Sequence, residues 1–583
     1  MARGTKKARR RSRVQVPQPR YALRRGVVGG VLLMAFFLLV GRAVERQVLE
    51  RDFLQNEGQR RYLRTVEMPA HRGVIFDRHH EPLALTTPVE SIWVNPKQLP
   101  RTAQAPLARA LGVSVAHLRK VLARNGKRHF LYLERRAAPK RVGRVRKAVH
   151  DNKITGVHFE REYRRFYPAG EVTAHVIGFT NIDDHGQEGL ELAYDDWLTG
   201  RAGAKRVLKD GSGRVVRDVE SIRAPQPGKD LVTSIDRRLQ YLAYRELKAA
   251  VEKHRARAGS AVILDVSTGE VLAMVNQPSY NPNARRSGRD GRFRNRAVTD
   301  VFEPGSTMKP LIMSAALEAG VIEPSTRIDT APGRLEVGGH RVRDSHDYGV
   351  LTPAGIIEKS SNVGISKIAL QLTPDVMWRV LSKVGFGVST DSGFPGEVSG
   401  RLPYFDRWSR FGQATIAFGY GLSVTTLQLA AAYATIGADG VKRPVSLLKQ
   451  LQAPRGREVL RRDVVRTVRG MMEKVVSAEG TAPRAAIPGY RVAGKTGTAK
   501  KITAHGYAKD RYLAIFAGVV PASRPRLAMA VMIDEPRAGQ VYGGEVAAPV
   551  FAKVMAGALR LLNIPPDGVQ GEGLRLASSG GKP

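Results

Sequence analysis

The sequence contains no cysteine. That absence excludes disulfide staples, Cys-ligated zinc, iron–sulfur clusters and thiol nucleophiles together. It does not fix the compartment, although it suits an oxidising one. Acidic residues are scarce beside basic ones: 53 Asp and Glu against 94 Lys and Arg, a net charge of +41. Such a surplus suits either nucleic acid or an anionic neighbour such as lipid headgroups or cell wall. No nucleic-acid-binding motif accompanies it, and no repeat of fixed period is visible. What is present is 583 residues of which 42% are apolar. That is too apolar for a disordered chain and long enough for more than one domain.

There is one long uncharged run. Met1 to Arg25 carry ten cations and no acid, and Gly26 to Gly41 (GVVGGVLLMAFFLLVG) then carry no charge. Sixteen helical residues span about 24 Å, short of a hydrocarbon core of roughly 30 Å. Extension to Val44 gives about 28 Å, with Arg42 placed to snorkel at the helix end. Gly41-Arg42-Ala43 is a poor cleavage site for a signal peptide, so an uncleaved anchor over residues 26–44 is expected. Ten cations before the run and a balanced flank after it put the tail, residues 1–25, in the cytoplasm and the remainder outside.

Val44 to Leu63 has helical periodicity and reads as a stalk continuing the anchor. From Thr65 to about 225 the chain reads as mixed, irregular and charged, with one helical stretch near Ala103 to Ala123, and residues 45–225 together are expected to form one pedestal region. Gln226-Pro227-Gly228 is a breaker, after which a second region runs from 226 to 564. It opens with a strand, Leu231 to Asp236, and a long helix, Arg237 to His254. Ser260 to Val275 reads as a hairpin around Ser267-Thr268-Gly269. The tail from Pro565 is rich in Gly and Ser and is expected to be loose.

The chemistry concentrates in three short segments. In FEPGSTMKP, Phe302 to Pro310, Pro304-Gly305 ends a loop and Ser306 starts an apolar helical run. Ser306 and Lys309 are three apart and share a helix face. A serine hydroxyl needs a base within reach, and a neutral lysine amine can serve if burial or nearby charge lowers its pKa. S-x-x-K alone is weak, since a chain of this length holds one or two by chance; Ser446 to Lys449 is another, in what reads as a strand. Ser360 and Asn362 form S-x-N between two helical stretches, where a helix cap is the plainer explanation. Ser279-Tyr280-Asn281 is a decoy, upstream of Ser306 in a Pro-rich loop. Lys495, Thr496, Gly497 and Thr498 form K-T-G-T; Gly497 would admit a substrate backbone, and Lys495 with the threonine hydroxyls would bind a carboxylate. S-x-x-K, S-x-N and K-T-G in this order, separated by 54 and 135 residues, are the set shared by class A β-lactamases and penicillin-binding proteins.

The chain resembles a class B penicillin-binding protein over almost its whole length. RGVIFDRHHEPLA, Arg72 to Ala84, is similar to a segment of that family, with His79-His80 where the family often has Asn-Gly. Tyr163 to Glu191 resembles the septal, cell-division subgroup, and Gly419 to Ala430 and Tyr542 to Phe551 also match the family. The resemblance implies a mixed α/β fold: one transmembrane helix, an elongated α+β pedestal of the dimerisation type, and a β-lactamase-like transpeptidase domain with a central antiparallel sheet flanked by helices. It implies a serine D-Ala-D-Ala transpeptidase of the D,D-carboxypeptidase class, single-pass in the inner membrane, with its catalytic domain in the periplasm at the division septum.

The family mechanism, carried onto this sequence, makes Lys309 the acceptor of the Ser306 proton. Ser306 attacks the carbonyl between the two terminal D-alanines of a stem peptide. Ser306 and Thr498 N–H groups form the oxyanion hole. Ser360, helped by Lys495, relays a proton to the departing D-alanine. Asn362 holds the substrate backbone, Thr496 and Thr498 its carboxylate, and Gly497 admits its close approach. An amine of a second stem peptide then resolves the acyl-enzyme. No metal or cofactor is called for. Implied partners are stem peptides, β-lactams as covalent inhibitors, the inner membrane, a septal glycan polymerase of the FtsW type and other division proteins, with no nucleic acid. The alternatives are an elongation-specific class B enzyme, a serine β-lactamase or a β-lactam sensor.

Overall fold

The computed structural model describes residues 21–53, 63–68, 70–209, 215–284, 291–503 and 506–568. The chain divides into two compact units, residues 1–68 with 202–224, and residues 69–201 with 225–583.

In the first unit, the helix Ala22–Val44 buries none of its residues. It is long and apolar enough to cross a membrane. The expected stalk is not one continuous helix. A π-turn occupies Glu45–Leu49, a bend falls at Glu50, and a short helix covers 51–53; residues 54–62 lie outside the described residues. Leu63, expected to end the stalk, instead starts the strand Leu63–Met68, which pairs antiparallel with Gly203–Lys209. Val215–Arg223 completes that three-stranded sheet.

Among the described residues the second unit contains two five-stranded sheets and four small two-stranded ones. One of the five-stranded sheets joins Leu231–Val232, Ile75–Phe76, Pro82–Val94 and Leu131–Ala137, with Val157–Phe166 pairing along Pro82–Val94. A satellite core of Ile92, Leu107, Leu118, Val145 and Val157 lies against it. The single helix expected near residues 103–123 is two, Gln104–Leu111 and Val115–Arg124. Gly112 at φ 74° ends the first, and Ser114 caps the second by accepting from His117 N–H. The strand expected over Leu231 to Asp236 stops at Val232, because Asp236 turns to cap the helix Arg237–Lys253.

Two of the segments noted in the sequence meet in a buried ionic knot. Arg72 Nε donates to Glu191 Oε2 at 2.7 Å and Arg165 Nε donates to Glu191 Oε1 at 2.6 Å. Arg72 also reaches Asp195 at 2.7 Å. His79-His80 forms a turn: His79 and Glu81 N–H groups donate to Asp77 Oδ1, and His79 Nε2 is 3.1 Å from Asp236 Oδ2.

The large core surrounds a five-stranded antiparallel sheet in the order Val271–Gln277, Ala258–Asp265, Leu527–Asp534, Gly506–Val520, Ala493–Thr503. Ala258–Asp265 and Leu527–Asp534 are buried on both faces, as continuous apolar strands must be. A Cβ on Gly259 would touch Leu247 and Val251 of the long helix, whereas the neighbouring Ser260 bonds Thr426 of the helix Thr426–Gly437. Successive strand residues point to opposite faces, so these helices cover opposite sides of the sheet. Ala493–Thr503, bearing K-T-G-T, is one of its two edge strands. The tail is held further than its composition suggests. Asp567 accepts from Arg491 N–H and from Ser523, and residues 569–583 lie outside the described residues.

Candidate active site

Ser306 lies in a 3₁₀ turn, Gly305–Met308, and the α-helix begins at Lys309. The sequence placed the helix start at Ser306. In a 3₁₀ turn residues i and i+3 eclipse, so Ser306 and Lys309 still share one side. Between Phe302 and Pro310 every residue is buried except Ser306, which is half-buried. The turn is pinned from behind. Tyr433 Oη donates to Thr307 O at 2.9 Å, Thr307 Oγ1 donates to Pro304 O at 2.7 Å, and Gly305 N–H donates to Gly419 O at 3.2 Å. Gly419 has φ +86°, and a Cβ there would fall 2.1 Å from Gly305 O, so only glycine fits.

S-x-N connects the helices Pro353–Lys359 and Asn362–Ala369. The helix-cap explanation holds for the middle residue: Ser361 accepts from Gly364 N–H. Ser360, at φ 61° in the left-handed region, turns its hydroxyl away from that cap. K-T-G-T, which taken alone could be a solvated turn, is strand. Gly497 lies against the nucleophile turn; a Cβ there would be 2.8 Å from Pro304 O and 3.1 Å from the Thr307 methyl.

Four of the residues expected at the site, Lys309, Ser360, Asn362 and Lys495, are brought together through the two lysines. Lys309 Nζ donates to Ser360 Oγ at 3.1 Å and to Asn362 Oδ1 at 2.8 Å. Lys495 Nζ donates to the same Ser360 Oγ at 2.9 Å. Ser360 thus accepts from both amines and keeps its own proton to give. Both lysines are fully buried. Burial first, then the charge of Lys495, pushes Lys309 well below the ordinary lysine value, while Asp344 pulls the other way. Burial lowers Lys495 to about 7.

The threonines already have protein partners. Thr496 Oγ1 is 2.9 Å from Thr481 Oγ1, and Thr498 Oγ1 accepts from Gly543 N–H at 3.0 Å, which leaves the Thr498 hydroxyl proton free to donate. The two discarded motifs fall elsewhere. Ser446 Oγ donates to Leu448 O in extended chain with Lys449 exposed, and Ser279 Oγ donates to Glu171 O.

Sequence reasoning missed Asp344. Its carboxylate accepts from Ser361 Oγ and from the Asn362 and Val363 N–H groups, the last at 3.0 Å. It therefore fixes the S-x-N turn from below. No local pattern marks an aspartate 18 residues before its partner.

Comparison with known proteins identifies the family. The family model for the penicillin binding protein transpeptidase domain matches residues 259–556, and that for the penicillin-binding protein dimerisation domain matches residues 67–233. The chain is 46% identical over 545 residues to the peptidoglycan D,D-transpeptidase FtsI of Escherichia coli K12, covering 92% of each protein. It is 43% identical to a probable peptidoglycan D,D-transpeptidase, PbpC, of Pseudomonas aeruginosa, covering 93% of this chain and 96% of that one. Among solved structures, penicillin binding protein 3 of Mycobacterium tuberculosis in complex with aztreonam is 30% identical. It aligns with a TM-score of 0.67 over 86% of this chain and 98% of that one.

Proposed function

The chain belongs to the penicillin-binding protein transpeptidase family, and from that premise we propose that it is a peptidoglycan D,D-transpeptidase cross-linking stem peptides of the septal wall. The observation that carries the mechanism is the single hydroxyl of Ser360 between two buried amines. Lys309, held neutral by burial, takes the Ser306 proton as the hydroxyl attacks the D-Ala-D-Ala carbonyl. Backbone N–H groups of Ser306 and Thr498 receive the oxyanion. Ser360, with its proton replenished through the lysines, protonates the departing D-alanine. Asn362 holds the donor backbone along the edge strand, Gly497 lets that strand pack close against the Ser306 turn rather than admitting the substrate, and Thr496 and Thr498 take the donor carboxylate. An acceptor amine then forms the amide bond as the bond to Ser306 Oγ breaks. Attack by water instead would make the enzyme a D,D-carboxypeptidase; the cross-link is the outcome proposed. A β-lactam would acylate the same hydroxyl.

The apolar helix Ala22–Val44 supports a single-pass anchor, with the tail cytoplasmic and the catalytic unit periplasmic. Likeness to FtsI over nearly the whole chain supports a place at the division septum beside a glycan polymerase. The test supplies a stem pentapeptide donor and an amine acceptor to the detergent-solubilised protein and follows products by mass spectrometry. Cross-linked peptide with one D-alanine released per link is expected, and neither product from Ser306→Ala. D-alanine released with no cross-link at any acceptor concentration would overturn the transpeptidase reading in favour of a carboxypeptidase.

A further inference from the structure

A short antiparallel ribbon joins Val441–Lys442 to Arg457–Glu458, and its register sets Lys442 directly opposite Arg457. Like charges in that position repel and destabilise a strand pair. Lys442 is half-buried, whereas Arg457 and Arg455 are exposed. None of the three side chains has a hydrogen-bond or ionic partner among the described residues. Burial first, then the charge of Arg457, lowers the Lys442 pKa, and Asp391 pulls the other way.

These three side chains and Arg443 line one cavity of about 420 Å³, within the size range of small-ligand sites. Among the described residues, Asp391 is the only acid in that lining, and no ion pair joins it to any of the four cations. Arg443 Nη1 donates to a carbonyl, Val266 O, at 3.3 Å. The cavity thus presents four cations against one carboxylate, a formal excess of three positive charges. A helix end accounts for one of them at most. Gly385, at φ 110°, ends the helix Pro374–Val384, and a Cβ there would fall 2.7 Å from Lys442 Nζ. The glycine lets the ammonium lie over the helix C-terminus, whose partial negative charge favours one cation. Three guanidinium groups remain without an anion.

We propose that this cavity binds a ligand bearing two phosphoryl groups, free or as a lipid headgroup, with Lys442 and Arg457 as its principal contacts and Arg443 and Arg455 beside them. A carboxylate brings one negative charge and a phosphate monoester about 1.5 to 2 at neutral pH, so either leaves cations unpaired. A second phosphoryl group supplies the remainder, and guanidinium forks match phosphate oxygens in pairs.

The test titrates sodium pyrophosphate, phosphate and acetate calorimetrically into the full-length protein in detergent. Pyrophosphate should bind at least about 10-fold more tightly than phosphate, and phosphate more tightly than acetate. The pyrophosphate Kd should rise at least about 10-fold in Lys442→Gln, which loses a half-buried charged donor. It should rise about 3- to 5-fold in Arg457→Gln, at an exposed position. Both variants should be acylated by penicillin at the unsubstituted rate, which shows that they fold. A Lys442 that serves only to hold the helix end makes the opposite prediction for stability. Without ligand, Lys442→Gln should melt no lower than the unsubstituted protein, because a like-charge opposition is gone. Pyrophosphate should raise the melting temperature of the unsubstituted protein more than that of the variant. Phosphatidylcholine nanodiscs with and without cardiolipin separate the two sources. Pyrophosphate affinity weakened by cardiolipin assigns the cavity to a lipid headgroup, and unchanged affinity assigns it to a soluble ligand; the site stands in both cases. Acetate binding as tightly as pyrophosphate would overturn the proposal, as would a Kd unchanged in both variants or a ligand-free Lys442→Gln that melts several degrees lower.

Discussion

Lys495 Nζ donates to Ser360 Oγ at 2.9 Å, across 135 residues of chain. The contact ties the edge strand to the S-x-N turn and places a second amine within reach of the hydroxyl that Lys309 already contacts. Lys309 must be neutral to accept a proton, so acylation slows as pH falls through its depressed pKa. In the proposed mechanism Lys495 contributes as an ammonium, so acylation is expected to slow again as pH rises through about 7. The rate of acylation by a fluorescent penicillin should pass through a maximum, with its falling limb near neutrality. A rate climbing steadily to pH 9 would contradict these roles.

Asp344 holds the S-x-N turn and favours the charged form of Lys309. Asp344→Asn keeps one acceptor but loses charge-assisted bonds worth about 1–3 kcal/mol. Thermal unfolding should show a loss of stability of that order. The rising limb of the acylation profile should move to lower pH, because the group that keeps Lys309 protonated is gone. A limb that stays put would restrict Asp344 to a structural part.

Gly497 is confined by Pro304 and Thr307. Gly497→Ala would bring a methyl within 2.8 Å of the Pro304 carbonyl and force the edge strand from the nucleophile turn. Misplacement by about 1 Å can cost roughly 10²-fold. Penicillin acylation should fall by about that factor, and the melting temperature should fall with it because the added methyl overpacks a buried contact at a cost of about 1–3 kcal/mol, both measured on the same preparation.

Glu191 joins Arg72 and Arg165 in the interior. Glu191→Ala leaves both guanidinium groups without their shared carboxylate, and breaking such a pair costs about 3–5 kcal/mol. Chemical denaturation should register that loss. A change below about 1 kcal/mol would mean that solvent or Asp195 compensates Arg72.

The residues legible in the sequence were those whose chemistry is written in local spacing. Ser306 with Lys309, Ser360 with Asn362, and Lys495 to Thr498 each form a short motif, and their order supplied the rest. The long helix at Arg237 and the hairpin at Ser260 to Val275 followed from periodicity and turn residues. The anchor's apolar run was legible from composition, although the helix starts earlier, at Ala22; the stalk was not, because helical periodicity at Leu63 yields to pairing with a strand 140 residues later. Gly112 was a stop signal inside an apparently continuous helix. Asp344 and the Tyr433 hydroxyl that pins Thr307 carried no local sign, because each acts through a partner that only the fold brings near.

The central claim is that Ser306 is an acylated nucleophile without a base to activate hydrolytic water. Between Asn362 and Lys495 no acid is followed by x-x-L-N, the segment that carries the deacylating Glu of class A β-lactamases. Lacking such a base typically costs a factor of roughly 10² to 10⁴. Intact-mass spectrometry after removal of free penicillin, with peptide mapping of the adduct, tests this most directly. One penicilloyl group should sit on Ser306, persist for many minutes to hours, and be absent from Ser306→Ala. An adduct on another serine, or one lost within seconds as hydrolysed penicillin accumulates, would contradict the account.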